Sequence, residues 1–212
     1  MGQVIPAINE TVFSEIEKKM RAAREFGAEW VHIDVADGKF TKNTLWNNPK
    51  ELSAIRHMLS ANLEVHLMVE NPDDVLDDWI DAGAKRIIVH IEAAKDIPAM
   101  KEKCMLMGAE FFLAANPETS ARTMVLQRDF VDGFLVLAVT PGVSGQQFHE
   151  DQLAKIAVLR EHAPGGTIEV DGGVNLSNAA DIRKEGATIL VAASAIWGSN
   201  DPQKAYQQLT RA

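Results

Sequence analysis

The chain has 212 residues, 46% of them hydrophobic and 24% charged, which suits a soluble protein with a sizeable core. Its formal net charge is −9 with no basic run, which argues against nucleic acid as a partner because phosphate neutralisation needs clustered Lys and Arg. Cys104 is the single cysteine, so no intrachain disulfide can form; no stretch reaches the ~20 apolar residues of a membrane span or resembles a leader peptide, so a cytoplasmic protein with no membrane partner is expected.

Residues 4–8 read as a first strand, and Val12, Ile16, Met20 and Ala23 then share one face of a helix. Gly27-Ala28 ends that helix, because Gly accepts the left-handed conformation just past a helix terminus. Residues 30–35 form the second predicted strand. The irregular stretch 40–49 follows, with Trp46 expected in a lid or an oligomer contact. A third strand is predicted at 64–69, a fourth at 87–90 after Gly83-Ala84, and a fifth at 111–115 after Gly108-Ala109. The sixth is read at 134–139, the seventh at 168–171 and the eighth at 189–192 after Gly186-Ala187. The Gly-Ala joints are spaced in multiples of about 26 residues, which divides the chain into about eight strand–helix units. Repeated units of this kind need parallel strands, and eight of them close into a (β/α)8 TIM barrel. An open doubly wound sheet also alternates strands and helices, but no GxGxxG opens a helix after the first strand. No linker-like segment interrupts the pattern, so residues 1–212 are expected to form a single (β/α)8 barrel domain.

The chemistry sits in three of these strands. Successive strand residues face opposite sides, so His32 and Asp34 point the same way. His66 lies in the third predicted strand, and Asp171 ends the seventh, followed by Gly172-Gly173. In such barrels the active site lies at the C-terminal ends of the strands. Two imidazoles and two carboxylates buried together there are costly without a cation. His32, Asp34, His66 and Asp171 are therefore candidate ligands of one divalent metal ion. Nitrogen and oxygen ligands favour zinc, iron or manganese over magnesium. Asp34 and Asp171 could also move protons, which suggests metal-assisted proton transfer on a small substrate. Glu169 is expected inward beneath Asp171, and His90 could line the site or not. His57, His149 and His162 read as surface residues.

Three small-residue loops follow the last three predicted strands: Gly142-Val143-Ser144-Gly145, Gly172-Gly173 and Ala193-Ser194. Glycines let backbone N–H groups approach a phosphate closely, and helix N-termini favour the anion. Plain turn chemistry is the alternative reading. None of these segments contains Lys or Arg, so any phosphate would be held by the backbone.

Taken in order, the segments resemble the ribulose-phosphate 3-epimerase family over nearly the whole chain. His32-Ile33-Asp34-Val35-Ala36-Asp37-Gly38-Lys39-Phe40 is similar to the family's His-x-Asp-x-Met-Asp-Gly-x-Phe. Val65-His66-Leu67-Met68-Val69-Glu70-Asn71-Pro72 is similar to its Val-His-Leu-Met-Val-x-x-Pro. Asn116-Pro117, Pro141-Gly142 with Gly145-Gln146, and Val170-Asp171-Gly172-Gly173 also match. The resemblance implies the barrel, a divalent metal on His32, Asp34, His66 and Asp171, and 3-epimerisation of D-ribulose 5-phosphate to D-xylulose 5-phosphate. It implies Asp34 as base for one epimer and Asp171 as acid on the opposite face. The substrate would be a small-molecule ketose phosphate, and a homo-oligomer is expected.

The chain departs from the family at the substrate pocket. Ala7 stands where the family has a substrate-contacting Ser, Ala36 and Leu137 where it has Met, and only Met68 remains of three methionines above the metal. The family's Gly-Phe-Gly-Gly is Gly142-Val143-Ser144-Gly145, and its Gly-Ser is Ala193-Ser194. Ala7 and Ala36 could leave room for one more carbon, so a hexulose 6-phosphate such as allulose 6-phosphate is an alternative substrate. A sugar-phosphate-binding protein without turnover is a second alternative. The Asp-x-Lys-x-x-Asp pattern of related decarboxylases begins at Asp37-Gly38-Lys39 but fails at Lys42.

Overall fold

The computed structural model describes residues 2–55, 61–142 and 145–212. Among them, strands β1 (Gln3–Ile8), β2 (Trp30–Ala36), β3 (Asn62–Met68), β4 (Arg86–His90), β5 (Glu110–Ala115), β6 (Gly133–Leu137), β7 (Thr167–Asp171) and β8 (Ile189–Ala192) close in sequence order into one barrel. All neighbouring pairs are parallel, with Ala7 beside His32, Asp34 beside His66, and Pro6 beside Ala192. The sixth strand ends at Leu137 rather than at the expected Val139.

Helices α1 (Phe13–Glu25), α2 (Pro49–Ile55), α3 (Leu76–Ala82), α4 (Ile97–Met107), α5 (Ala121–Val125), α6 (Gln152–His162), α7 (Ala179–Lys184), α8 (Ser194–Trp197) and α9 (Pro202–Arg211) lie between and after the strands. Each Gly-Ala joint follows a helix with its glycine in the left-handed region: Gly27 at φ +80°, Gly83 at +117°, Gly108 at +76° and Gly186 at +120°. Ile16, Met20 and Ala23 of α1 are buried as their spacing predicts. Val12 is not: it precedes the helix and is exposed, because the backbone there is still extended. No helix among the described residues is long and apolar enough to cross a membrane.

The main core lies between barrel and helices, where outward strand residues such as Ile33, Val65 and Phe111 meet Trp79, Leu76 and Ile156. Each such fully buried side chain contributes about 1.5–3 kcal/mol relative to an exposed one. The barrel interior is divided by polarity. One side is apolar, with Ile88, Phe112, Ala114, Leu135 and Leu137. A smaller apolar group joins Ile5, Ala7, Ile189 and Val191. Between them β2, β3, β4 and β7 turn buried polar groups inward: His32, Asp34, Glu64, His66, Arg86, His90, Glu169 and Asp171.

At the N-terminal end Arg86 closes this polar wedge. Its guanidinium lies 4.2 Å from the Trp30 ring centre and 4.1 Å from that of Phe112. It donates to Glu64 at 2.5 Å and to Glu110 at 2.7 Å, and Glu169 is 3.4 Å away. The planar guanidinium can stack on rings and donate at its edge together. Glu64 and Glu169 share one small volume, so both cannot ionise cheaply. Burial, and then the charge of Glu64, pushes Glu169 up to about 8.

Candidate active site

Period-2 alternation brings the predicted ligands together. His32 and Asp34 face inward from β2, His66 from β3, and Asp171 from the last position of β7. The histidines are fully buried, whereas Asp34 and Asp171 retain 7% and 9% exposure and form part of the cavity wall. His32 Nε2 is 3.1 Å from Asp34 Oδ1, and His66 Nδ1 is 3.0 Å from the same oxygen. His66 Nδ1 is also 3.9 Å from Asp171 Oδ2. One donor atom from each of the four residues lies within 4.8 Å of all the others.

The donor set suits a divalent ion. A carboxylate can only accept, so His32 Nδ1 carries the proton it gives to Glu64 Oε1 at 2.8 Å. When the imidazole is neutral, its Nε2 then offers a lone pair toward Asp34. Electron-rich atoms at such separations repel unless a proton or a cation lies among them. Burial disfavours a charged His32, but the charge of Asp34 and hydrogen bonds to Asp34, Glu169 and Glu64 outweigh it and raise its pKa well above the ordinary value. Positive charge is therefore favoured at this point. A buried carboxylate behind a ligating imidazole is also how metal-bound histidines are held in orientation.

The two aspartates differ. Burial alone would raise Asp34, but the charge of His32 and hydrogen bonds from His32 and His66 hold it well below the usual carboxylate range. Asp171 is pushed up to about 6, first by burial and then by the charge of Asp34. Similar groups with diverging pKa values are a recurring arrangement in proton-transfer sites.

Above them opens a cavity of about 270 Å³. Asp34, Met68, Asp171, Gly172, Gly173, Gly142, Gly145, Ala193 and Ser194 line it. Val143 and Ser144 lie outside the described residues. Ala7 sits at the level of His32, packed with Ile5, Ile189 and Val191, and neither Ala7 nor Ala36 lines the cavity. No Lys or Arg is among the described lining residues. Gly173 has φ +70°, and a Cβ there would stand 2.3 Å from the backbone N of Phe148, so the loops after β6 and β7 meet with no room for a side chain.

Gln146 of the Gly145-Gln146 match also lines this space, as do Asn9, Asn43 and Leu45, which were not among the expected residues. Asn9 follows Ala7 by two positions, the one local signal that could have found it. Asn43 Nδ2 donates to Gly142 O at 2.7 Å, joining the loop after β2 to the loop after β6. Asp37 anchors that first loop: its Oδ1 accepts from Lys39 N at 2.8 Å and Phe40 N at 3.0 Å, and its Oδ2 from Glu70 N at 2.8 Å. Trp46, expected in a lid or an oligomer contact, is instead buried in the core. It stacks on Phe13 at 5.2 Å, meets Trp79 edge-on at 5.4 Å, and donates through Nε1 to Glu51 at 2.6 Å. His90 does not line the cavity; it lies fully buried behind His66, with the two Nε2 atoms 2.8 Å apart. His162 is exposed, His149 is half-buried, and His57 lies outside the described residues.

A family model described as the Ribulose-phosphate 3 epimerase family matches residues 3–197. The chain is 33% identical over 214 residues to the ribulose-phosphate 3-epimerase of Bacillus subtilis strain 168, covering 99% of this chain and 98% of that one. It is 35% identical over 210 residues to the chloroplastic ribulose-5-phosphate-3-epimerase of Arabidopsis thaliana, covering 96% of this chain and 74% of the relative. Among solved structures, a 3-hexulose-6-phosphate synthase superposes with TM-score 0.75 at 17% identity, over 99% of this chain and 98% of that one. A phosphoribosyl anthranilate isomerase from Thermococcus kodakaraensis superposes with TM-score 0.69 at 16% identity, over 100% of this chain and 99% of that one. These structures share the fold, whereas the first two relatives share sequence along nearly the whole chain. The protein is accordingly an enzyme that belongs to the ribulose-phosphate 3 epimerase family.

Proposed function

We propose that this enzyme inverts C3 of D-ribulose 5-phosphate to give D-xylulose 5-phosphate, using Asp34 and Asp171 as a pair of acid–base groups. The observation that carries this reading is that both carboxylates reach one cavity from β2 and β7, beside glycine-rich loops suited to a phosphate. The hydrogen at C3 is α to the C2 carbonyl. Its removal leaves an enediolate, and return of a proton on the other face inverts the centre. An ionised carboxylate on one face takes the proton. A protonated one on the other face supplies it, and the roles exchange in reverse. In the metal-free protein the low proton affinity of Asp34 and the raised affinity of Asp171 set the two carboxylates apart, which suits opposite roles in moving the proton.

His32, Asp34, His66 and Asp171 would hold one divalent ion, for which zinc, iron and manganese suit the nitrogen and oxygen donors. When bound, such an ion supplies Lewis-acid stabilisation of negative charge developing on neighbouring oxygens. Gly142, Gly145, Gly172, Gly173, Ala193 and Ser194 bind the phosphate through backbone N–H groups. That remote binding positions C3 between the aspartates.

The test is turnover of ribulose 5-phosphate with solvent-deuterium exchange at C3, alongside allulose 6-phosphate and unphosphorylated ribulose. Preferred turnover of ribulose 5-phosphate with C3 exchange is expected. Preference for the hexulose phosphate would reassign the substrate, and equal kcat/KM for ribulose with and without phosphate would overturn the phosphate assignment. Binding with neither turnover nor exchange would favour a non-catalytic protein.

A further inference from the structure

We propose that Glu92 is a positioning residue for the metal site: through His90 it fixes the proton of His66 on Nε2, leaving Nδ1 as the atom His66 offers to a divalent cation. The inference rests on the reading of His32, Asp34, His66 and Asp171 as ligands.

Glu92 lies just beyond β4, and its hydrogen-bond partners among the described residues are His90, Asn116 and Thr119 rather than any of those four. Its Oε1 accepts from Asn116 N at 2.9 Å and from Thr119 Oγ1. Its Oε2 is 3.2 Å from His90 Nδ1. Burial would raise its pKa, but hydrogen bonds from His90 and Thr119 hold it down at about 2. Glu92 is thus a fixed anionic acceptor, and His90 Nδ1 must carry the proton of the bond between them. His90 is fully buried with the Phe40 ring centre 4.7 Å away, and its Nε2 lies so close to His66 Nε2 that one of the two nitrogens must carry the proton between them. A His66 that offers Nδ1 to a cation keeps its own proton on Nε2, so His90 is the acceptor there and presents a lone pair on its Nε2. That lone pair faces His66 Nε2 at 2.8 Å, so His66 must be the donor. The remaining nitrogen, His66 Nδ1, is the one aimed at Asp34 Oδ1 3.0 Å away.

The two imidazole ligands are therefore set by different devices. Glu64 acts directly on His32, at 2.8 Å. For His66 the carboxylate is one residue further back, and the intervening imidazole relays its direction. Such supporting partners change metal affinity by about 10- to 100-fold when removed. The relay also explains a buried His90 that no substrate contact requires.

Two measurements on the full-length protein test this. The first is zinc affinity by chelator competition for wild type, Glu92→Leu and Glu92→Gln. Glu92→Leu should weaken Zn²⁺ binding about 10- to 100-fold. Glu92→Gln, which keeps an acceptor oxygen, should lie between it and wild type. The second is long-range ¹H–¹⁵N NMR of the histidine rings in zinc-loaded wild type, which needs no variant to fold. It should find His66 ligated through Nδ1 and protonated on Nε2. Zinc binding by Glu92→Leu within twofold of wild type, or ligation of His66 through Nε2, overturns the relay while leaving the metal site in place. Failure of the wild type to bind Zn²⁺ overturns the metal site and the relay together.

Discussion

Asp34 and Asp171 enter one cavity from β2 and β7 with opposite proton affinities, Asp34 held low by His32 and His66 and Asp171 raised to about 6 by burial and by Asp34 itself. The influence runs from Asp34 to Asp171. Ionised Asp34 makes a second negative charge nearby costly, so Asp171 keeps its proton to higher pH. A single feature of packing thus gives two identical side chains different proton affinities.

Replacing either by Asn removes one face of the proton transfer. Asp34→Asn and Asp171→Asn should each lower turnover at least ~10²-fold in both directions. Exchange of the C3 hydrogen with solvent should survive with one epimer in the variant that keeps the base for that face. Near-normal kcat in a folded, metal-loaded variant would refute the assignment.

The pH dependence follows from the same shift. The folded pKa of Asp171, about 6, lies above the ordinary carboxylate value of about 3.9. In the metal-free protein its contribution to stability is therefore complete below about pH 4 and lost as pH rises through about 6. A divalent ion needs the carboxylate ionised and the imidazoles unprotonated, so protons compete with it. His32, also raised, adds in the same direction. The increase in Tm caused by Zn²⁺ should accordingly grow from about pH 5 to about pH 7. Differential scanning calorimetry at both values checks this, and an increase that is equal or larger at the lower pH contradicts it.

Two glycines at the cavity allow a controlled comparison. Gly145 has φ +78° with nothing within 4 Å of an added Cβ, whereas at Gly173, φ +70°, that Cβ would stand 2.3 Å from the N and 2.6 Å from the Cα of Phe148. Gly145→Ala should cost only the conformational penalty, about 1–2 kcal/mol. Gly173→Ala adds a collision with backbone that cannot rotate away, so it should lose more stability in urea unfolding and raise KM more strongly. Equal losses would mean that the loops after β6 and β7 are not packed this way.

Trp46 ties the loop carrying Asn43 and Leu45 to the core through Phe13 and Trp79. Trp46→Ala should destabilise the fold by about 3–5 kcal/mol. It should also raise KM, because Asn43 then loses its fixed approach to Gly142. A surface role would give a loss below about 0.5 kcal/mol in the same unfolding measurement.

The amino-acid sequence determined what depends on neighbours in the chain. Gly27, Gly83, Gly108 and Gly186 end helices because only glycine takes a positive φ without cost, and their spacing carried the count of barrel units. His32 and Asp34 share a face because strand residues alternate, and the Gly172-Gly173 that follows marked Asp171 as the C-terminal residue of its strand. The tertiary structure alone decided depth and partners. His90 stands behind His66 although 24 residues separate them, because pairing of β3 with β4 sets His66 beside Ile88 and places His90 inward beyond it. Arg86 begins a strand like any surface arginine, and only barrel closure surrounds it with Glu64, Glu110 and Glu169 from three other strands. Trp46 sits in an irregular stretch whose polarity pattern has no period, so its burial came from Phe13 and Trp79 on separate helices. A period of two tells which face a residue takes; which atom meets it there is set by strand register and barrel closure, which no local pattern contains.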